Sequence, residues 1–496
     1  MVAMVATTVL QFVCRKVFIS TLGNDYLSFD GLFTNILSML SLAELGFGEA
    51  IIFCLYKPLA VNDEHQIKAL IDYYARVYRI VAAVILALGF AVIPLFPYIM
   101  KNPPQVPESI YLIYLLFLLN TVISYLWVYK QSILIADQKN YVVYNVKLIV
   151  SIVTMLGQTV FLLLTHNYIV YLLLAIATTF LTNLYVSRVA DKHYPYLKNR
   201  EKTRLDIETR KTININVRSL MIYKIGTLLV TGVDNLMISS LIGVSLVGIY
   251  SNYTLVVNKA SNILRSVVSA TTGSVGNLNA TESKAHNESI GRVMLFVTFW
   301  IFGFASVGMF ILINPFIVFL AGEEYLLDTW AVLFVVLDFY LLGANSPMNV
   351  FRNAMGLYRY GKFRPMICAA ANLVVSLALV KPLGIMGIVL GTFAARFGVT
   401  SWYEAVVVYK YGLQMSVRKY LMRFNTYLAV LIGLFGICYV LCLPFAAFTL
   451  FNFVIKTAIV SVVSNLSLFV LFRKTEEFGY MKQMISRVTG KLIKRG

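Results

Sequence analysis

The chain alternates long apolar stretches with short polar or basic connections from one end to the other. A membrane-spanning helix needs roughly 20 apolar residues, because in hydrocarbon only a closed ladder of backbone hydrogen bonds leaves no polar group unsatisfied. About 14 stretches of that length recur, so the pattern predicts an all-α polytopic membrane protein. They centre on residues 1–22, 28–56, 78–99, 109–129, 141–165, 168–187, 220–241, 245–270, 293–320, 329–350, 365–381, 384–408, 425–443 and 449–472. Composition agrees, with 59% hydrophobic and 13% charged residues and a mean hydropathy of +0.77.

Charge orients the spans. Of the 42 Lys and Arg, 33 fall in every second connection (57–80, 130–139, 188–224, 273–292, 351–364, 409–423) and the tail 473–496. The other connections hold only Lys101 and Lys381, and one of them clusters Glu323, Glu324 and Asp328. Cytoplasmic loops carry the cationic excess, so both termini are expected in the cytoplasm. This bias accounts for most of the +19 net charge, and no nucleic-acid partner is expected. The first stretch has no basic lead and no small-residue cleavage site before Arg15 and Lys16, so it reads as a short first span rather than a signal peptide.

No metal site, cofactor or enzymatic chemistry is expected. The five cysteines (Cys14, Cys54, Cys368, Cys438, Cys442) lie in apolar spans as packing residues, and the four histidines are scattered among the connections. Walker A, GxSxG and HExxH patterns are absent.

Leu27–Asn35 (LSFDGLFTN) and Val244–Asn252 (VSLVGIYSN) each follow a short Gly-containing connection and open a long helix, at an offset of 217 residues. Ala136–Tyr141 and Met355–Tyr360 occupy corresponding turns. Spans one to six therefore map onto spans seven to twelve; an even number per unit makes the repeat parallel, with its axis along the membrane normal. The alternative is chance recurrence of small and aromatic residues. The expected organisation is an N-lobe (1–190), a basic inter-lobe loop (191–218), a C-lobe (219–410), two further spans (411–475) and a basic amphipathic tail (476–496). Two such lobes commonly enclose a cavity that rocking exposes to each side in turn.

Several spans carry polar residues three and four apart, on one helical face. The fifth has Tyr144, Lys147, Ser151, Thr154 and Gln158. The seventh has Lys224, Thr227, Thr231 and Asp234, and the eighth Asn258, Asn262, Arg265 and Ser269. The tenth has Asp338, Asn345, Asn349 and Arg352, the twelfth Thr392, Arg396, Thr400 and Tyr403, and the first Thr8, Gln11 and Arg15. Hydroxyls and amides alone read as interhelical bonds worth about 0.6 kcal/mol each. A cation at mid-membrane costs roughly 2.5–3.5 kcal/mol, a poor exchange for packing. Lys147, Arg265, Arg396, Lys224 and Arg15 are thus candidates to line a cationic cavity. Lys57, Lys130, Lys224 and Arg352 lie near span ends, where snorkelling is the competing reading. The intramembrane acids Glu44, Glu49, Asp234, Asp338 and Glu404 either pair with these cations or titrate, with a proton or sodium as coupling ion.

A cationic cavity lined with amides, hydroxyls and tyrosines suits an anionic cargo bearing sugars, although a nucleotide or anionic metabolite would use similar groups. Arg15–Gly23 (RKVFISTLG), Tyr26–Asn35 (YLSFDGLFTN), Leu40–Gly48 (LSLAELGFG) and Leu55–Ala60 (LYKPLA), with Ala136–Tyr141 and Val247–Asn252 (VGIYSN) further on, resemble the bacterial polysaccharide-transport (Wzx-type) flippases. These belong to the multidrug/oligosaccharidyl-lipid/polysaccharide exporter superfamily. The resemblance implies a two-lobe, 12-helix core plus two helices. It also implies export of undecaprenyl-pyrophosphate-linked oligosaccharide for capsule, exopolysaccharide or O-antigen, with Arg15, Glu44 and Lys57 as motif positions. One departure is the near-absence of a polar lead-in before the first span, the pattern of a truncated or misassigned start.

The implied partners are that lipid-linked substrate, membrane lipids and polysaccharide assembly proteins. A drug or metabolite antiporter on the same architecture would favour acids over bases in its cavity. A membrane glycosyltransferase or polymerase would need larger outer loops. A scaffold could recruit partners through the tail, where Met481, Met484, Ile485, Val488 and Leu492 alternate with basic residues; the plainer reading of that tail is an anchor to anionic lipid.

Overall fold

The computed structural model describes residues 2–41, 47–101, 103–137, 139–198, 205, 232–269, 271, 275, 278, 282–355, 357–361 and 363–483. Every regular element among them is a helix, and the chain divides into two compact units, Met1–Ile249 and Tyr250–Gly496. Among the described residues ten helices are long and apolar enough to cross a membrane. They correspond to the third to sixth and ninth to fourteenth stretches of the sequence, and the chain is a multi-pass membrane protein. The seventh stretch falls largely outside the described residues, leaving the short apolar helix Gly232–Ile242. The eighth is helical over Val244–Ser269 but too polar along one face to count among the ten. The amphipathic pattern of the tail beyond residue 483 also lies outside the described residues.

Unit 1 holds α1 (Val2–Leu40), α2 (Phe47–Ala60), α3 (Glu64–Val92), α4 (Ile110–Ser124), α5 (Asn140–Thr165) and α6 (Tyr168–His193). The first two expected spans meet at a one-residue turn: α1 comprises two helical arms that break at Gly23, whose φ of 82° and ψ of −171° lie outside the helical basin and suit a residue without Cβ. α5 and α6 form a hairpin. His166 closes α5 at a left-handed φ of 51°, and the Asn167 side chain then accepts from the Ile169 and Val170 amides to start α6. α1 packs on α5 and α4, and α4 on α6. The core is aromatic: Phe33 meets Tyr114 edge-on at 5.2 Å, and Phe96 meets the same ring at 4.9 Å.

The second arm of α1 also touches the start of α7 (Val244–Ser269). Ser28 Oγ donates to Ser245 O at 3.3 Å, and Asn24 Nδ2 to the same carbonyl at 3.0 Å. A Cβ on Gly248 would collide with the Asn24 and Ser28 side chains, so this close approach requires glycine. Ser28 and Ser245 are counterparts at the 217-residue offset.

Unit 2 is organised on α8 (Lys284–Leu320), against which α9 (Thr329–Ala344), α14 (Arg418–Cys442) and α15 (Leu450–Phe472) pack. Phe296, Phe299 and Phe302 recur along one side of α8 and are fully buried; Phe299 stacks on Tyr427 at 4.4 Å. α10 (Ser346–Ala354) follows α9. α11 (Arg364–Leu383) and α12 (Ile385–Ala395) form a tight hairpin, and the chain continues through a π turn, Arg396–Thr400, into α13 (Ser401–Val407) and a second π turn, Val408–Leu413. π turns of this kind re-aim side chains that a regular helix would leave out of register.

Candidate functional site

The α5 stripe opens onto a groove of about 350 Å³ between α5 and α6. Lys147, Ser151, Thr154 and Gln158 line one wall, and Thr178, Thr182 and Asn183 of α6 the other. Periodicity explains the arrangement: at three- and four-residue spacing these side chains stack on one face, and the hairpin turns both faces to the same space. The hydroxyls donate back to their own helices, Thr154 Oγ1 to Val150 O at 2.7 Å and Thr182 Oγ1 to Thr178 O at 2.6 Å. Their remaining lone pairs point outward as acceptors. Asn183 Nδ2 is held by Ser124 O at 2.9 Å and Gln158 Nε2 by Tyr171 O at 3.1 Å, which fixes both amides. Lys147 is exposed in the groove and forms no ion pair with any described carboxylate. The site offers one cation and a row of hydroxyls and amides, the donor set that an anion carrying sugars requires.

Arg15 is placed differently. It faces Asp30 at 3.9 Å across the Gly23 break, so the pair bridges the two arms of α1. Tyr168 and Tyr171 lie beside it. Asp30 was missed among the intramembrane acids, although it stands within the LSFDGLFTN motif. Arg265 lies on an open face of α7: Asn258, Asn262, Arg265 and Ser269 are all exposed, whereas Tyr253, Val257, Ser261 and Val268 on the other side are buried.

The remaining stripes close on each other inside unit 2. Arg396 pairs with Asp338 of α9. One turn further on, Asn345 Nδ2 donates to Ser401 Oγ at 3.1 Å. Next, Arg352 Nη1 donates to Glu404 Oε1 at 2.7 Å, and Arg364 of α11 pairs with the same carboxylate oxygen. Glu404, Arg352 and Arg364 are 1%, 5% and 9% exposed. Thr392 bonds Asn372 at 3.4 Å, and Tyr403 Oη donates to Tyr360 O at 2.9 Å. Arg364 was read only as part of a basic connection; its place four residues before Cys368, on the buried face of a span, was the available signal.

Asp234 is buried. Glu44 and Lys224 lie outside the described residues, as do the side chains of Glu49 and Lys57. Lys456 of α15 is a further intramembrane cation that sequence reading overlooked; it is buried close to Cys442.

At the basic end of unit 1 Lys130 Nζ bonds Asp191 at 2.6 Å, and beyond the spans Lys139 Nζ bonds Asp137 at 2.7 Å. Tyr194 Oη donates to Asp137 at 2.6 Å. The Lys139 and Tyr194 hydrogen bonds hold the Asp137 carboxyl below the usual carboxylate range, while burial and that bond push the Tyr194 phenol up. Unit 1 thus spends these acids on its rim.

No protein-family model matches the chain, and no curated protein matches it significantly in sequence. Solved structures do match. A lipid II flippase, MurJ, in an inward closed conformation aligns with a TM-score of 0.69 at 15% identity, over 95% of this chain and 98% of that one. An inward-facing multidrug resistance MATE family transporter of the MOP superfamily aligns with a TM-score of 0.63 at 15% identity, over 81% of this chain and 94% of that one. A mutant of the Vibrio cholerae MATE transporter VcmN aligns with a TM-score of 0.60 at 13% identity, over 84% and 96%. The chain has the fold these transporters share.

Proposed function

We propose that the protein is an alternating-access flippase for lipid-linked anionic oligosaccharide, with undecaprenyl-pyrophosphate-linked repeat units of a surface polysaccharide as the substrate class. The observation that carries the reading is Lys147. It is a cation at span depth, exposed in a groove of hydroxyls and amides, with no described carboxylate to neutralise it. The exposed Asn258, Asn262 and Arg265 of α7 supply a second surface of the same chemistry. The fold shared with a lipid II flippase over nearly the whole chain supports a substrate whose lipid stays in the bilayer. The division of the chain into two compact units supports a two-lobe organisation.

In this reading the pyrophosphate docks near Lys147, the sugars meet the hydroxyl and amide rows, and rocking of the lobes carries the head group outward. The membrane potential favours outward movement of an anion by about 2.3 kcal/mol per charge per 100 mV. A cation-exporting drug transporter would need an unneutralised acid; among the described residues of unit 2, Asp338 and Glu404 are both paired with arginine.

The test is translocation of labelled undecaprenyl-pyrophosphate oligosaccharide in proteoliposomes. Wild-type flux above protein-free vesicles is expected, with loss in Lys147→Ala and Arg265→Ala at unchanged thermal stability. Absence of wild-type flux overturns the reading. Collapsing the proton or sodium gradient at constant potential tests ion coupling, which unchanged flux would sink.

A further inference from the structure

A groove of about 530 Å³ runs along the outer face of α13 and its two flanking π turns. Its deep end is apolar, at Ile367, Gly398 and Val399; its other end carries Lys410, whose Nζ sits 5.4 Å from the centre of the Tyr411 ring. Between them stand Trp402 and Tyr403, and Tyr360 stacks on Tyr411 at 4.0 Å. The ladder of Asp338–Arg396, Asn345–Ser401 and Arg352–Glu404 lies behind these side chains, because Ser401 and Glu404 project from the opposite side of the same helix, and Tyr403 bonds the Tyr360 carbonyl at the groove instead.

We infer that this groove binds one anionic phospholipid, with its phosphate at Lys410 and an acyl chain laid toward Gly398. Three features point to that occupant. Gly398 to Tyr411 covers about 18–20 Å of helix, comparable with the roughly 15 Å depth of one hydrocarbon leaflet. Tryptophan and tyrosine concentrate where a bilayer's headgroups meet its hydrocarbon, and here they flank the cationic end. The charge at that end is complementary to a phosphodiester and is reinforced by the exposed Arg418 and Lys419 just beyond the second π turn. A zwitterionic lipid would fill the apolar part but gain less from Lys410. Because α13 also carries Glu404, a lipid packed on its outer face supports the ladder on its inner face.

The experiment uses the purified full-length protein in neutral detergent, titrated with phosphatidylglycerol or phosphatidylcholine, with bound lipid counted by native mass spectrometry and the melting temperature followed in parallel. Phosphatidylglycerol is expected to bind more tightly and raise the melting temperature. Lys410→Gln should weaken it about five-fold, the factor of one lysine at an anionic lipid surface, while Lys419→Gln has a smaller effect. Gly398→Leu fills the groove, since a Cβ there meets nothing within 4 Å, and should reduce binding of both lipids without unfolding the protein. Equal binding of the two lipids, or equal effects of Lys410→Gln and Lys419→Gln, overturns the assignment. Displacement of phosphatidylglycerol by undecaprenyl phosphate also overturns it, by giving the groove to the transported lipid.

Discussion

Lys147 in unit 1 and Arg396 in unit 2 are similar in sequence: each stands in an apolar span, on a face shared with hydroxyls three and four residues away. Their surroundings differ. α6, facing Lys147, presents Thr178, Thr182 and Asn183, which hydrogen-bond but do not neutralise; α9 and α10, facing the twelfth span, present Asp338, Asn345 and Arg352, which match Arg396, Ser401 and Glu404 rung by rung. A cation at mid-membrane costs a few kcal/mol unless it is paired or solvated. In unit 2 Arg352, Arg364 and Arg396 are paired and largely buried, while in unit 1 Lys147 stays open to a groove. The decisive variable is the partner helix, so polar ladders hold structure together and the unmatched stripe is left for a ligand.

The largest effect should come from the most buried rung. Glu404→Ala leaves Arg352 and Arg364 facing each other out of water, and removing one partner of a buried ion pair costs about 3–5 kcal/mol. A thermal-shift measurement on the detergent-solubilised protein should show a large fall in melting temperature. Wild-type stability with abolished flux would move Glu404 from the structural side of the comparison to the functional side.

Lys147→Ala should behave in the opposite way. The melting temperature should stay close to wild type, while substrate affinity falls by about 1.5–3 kcal/mol, the worth of a hydrogen bond to a charged group. Flux measured against substrate concentration separates the two, and Lys147→Arg should restore much of the loss because it keeps the charge. A destabilised Lys147→Ala would mean that the groove cation is structural as well.

The Asp338–Arg396 rung is less buried, and a double-mutant cycle sharpens the contrast. Asp338→Ala and Arg396→Ala should each destabilise, and the double variant should be more stable than the sum of the two predicts, with a coupling of about 0.5–3 kcal/mol. Additive effects would mean that the pair carries no interaction, and Arg396 would rejoin Lys147 as a cavity candidate.

Much of the fold was legible because length and hydropathy alone decide what can cross a bilayer; ten described spans fall where the apolar stretches are. The break at Gly23 was legible too, as the short Gly-containing connection expected between the first two stretches; that it narrows to a single residue depends on one pair of dihedrals. The stripes were legible as faces, because helical period is local. Which stripe stays open was not, because that depends on the facing helix: nothing near Arg396 in sequence announces Asp338, 58 residues earlier. Asp30 and Lys456 escaped for different reasons. Lys456 is followed at helical spacing by Ile459 and Val460, and the stripe of Tyr26, Asp30, Thr34 and Ser38 was passed over inside a motif read for its repeat.

The smallest effect tests what the acids on the rim of unit 1 contribute to the groove. Asp137 binds Lys139 and Tyr194 on the basic rim, and its carboxyl is held below the usual range. A group depressed in the folded state contributes stability above its unfolded value, about pH 4, and loses it as pH falls through the lower folded one. Asp137→Asn should therefore cost up to about 1 kcal/mol near neutrality, since the carboxylate is partly exposed. The gap between wild type and variant should close as the solution is acidified below about pH 4. Flux that depends on Lys147 should be unaffected at neutral pH, because a charge pair on the rim changes the anchoring of α5 and α6 but not the charge in the groove. A variant that lost flux while keeping its stability would show that the rim acids tune the groove cation, and unit 1 would then neutralise its charge at a distance rather than leave it open.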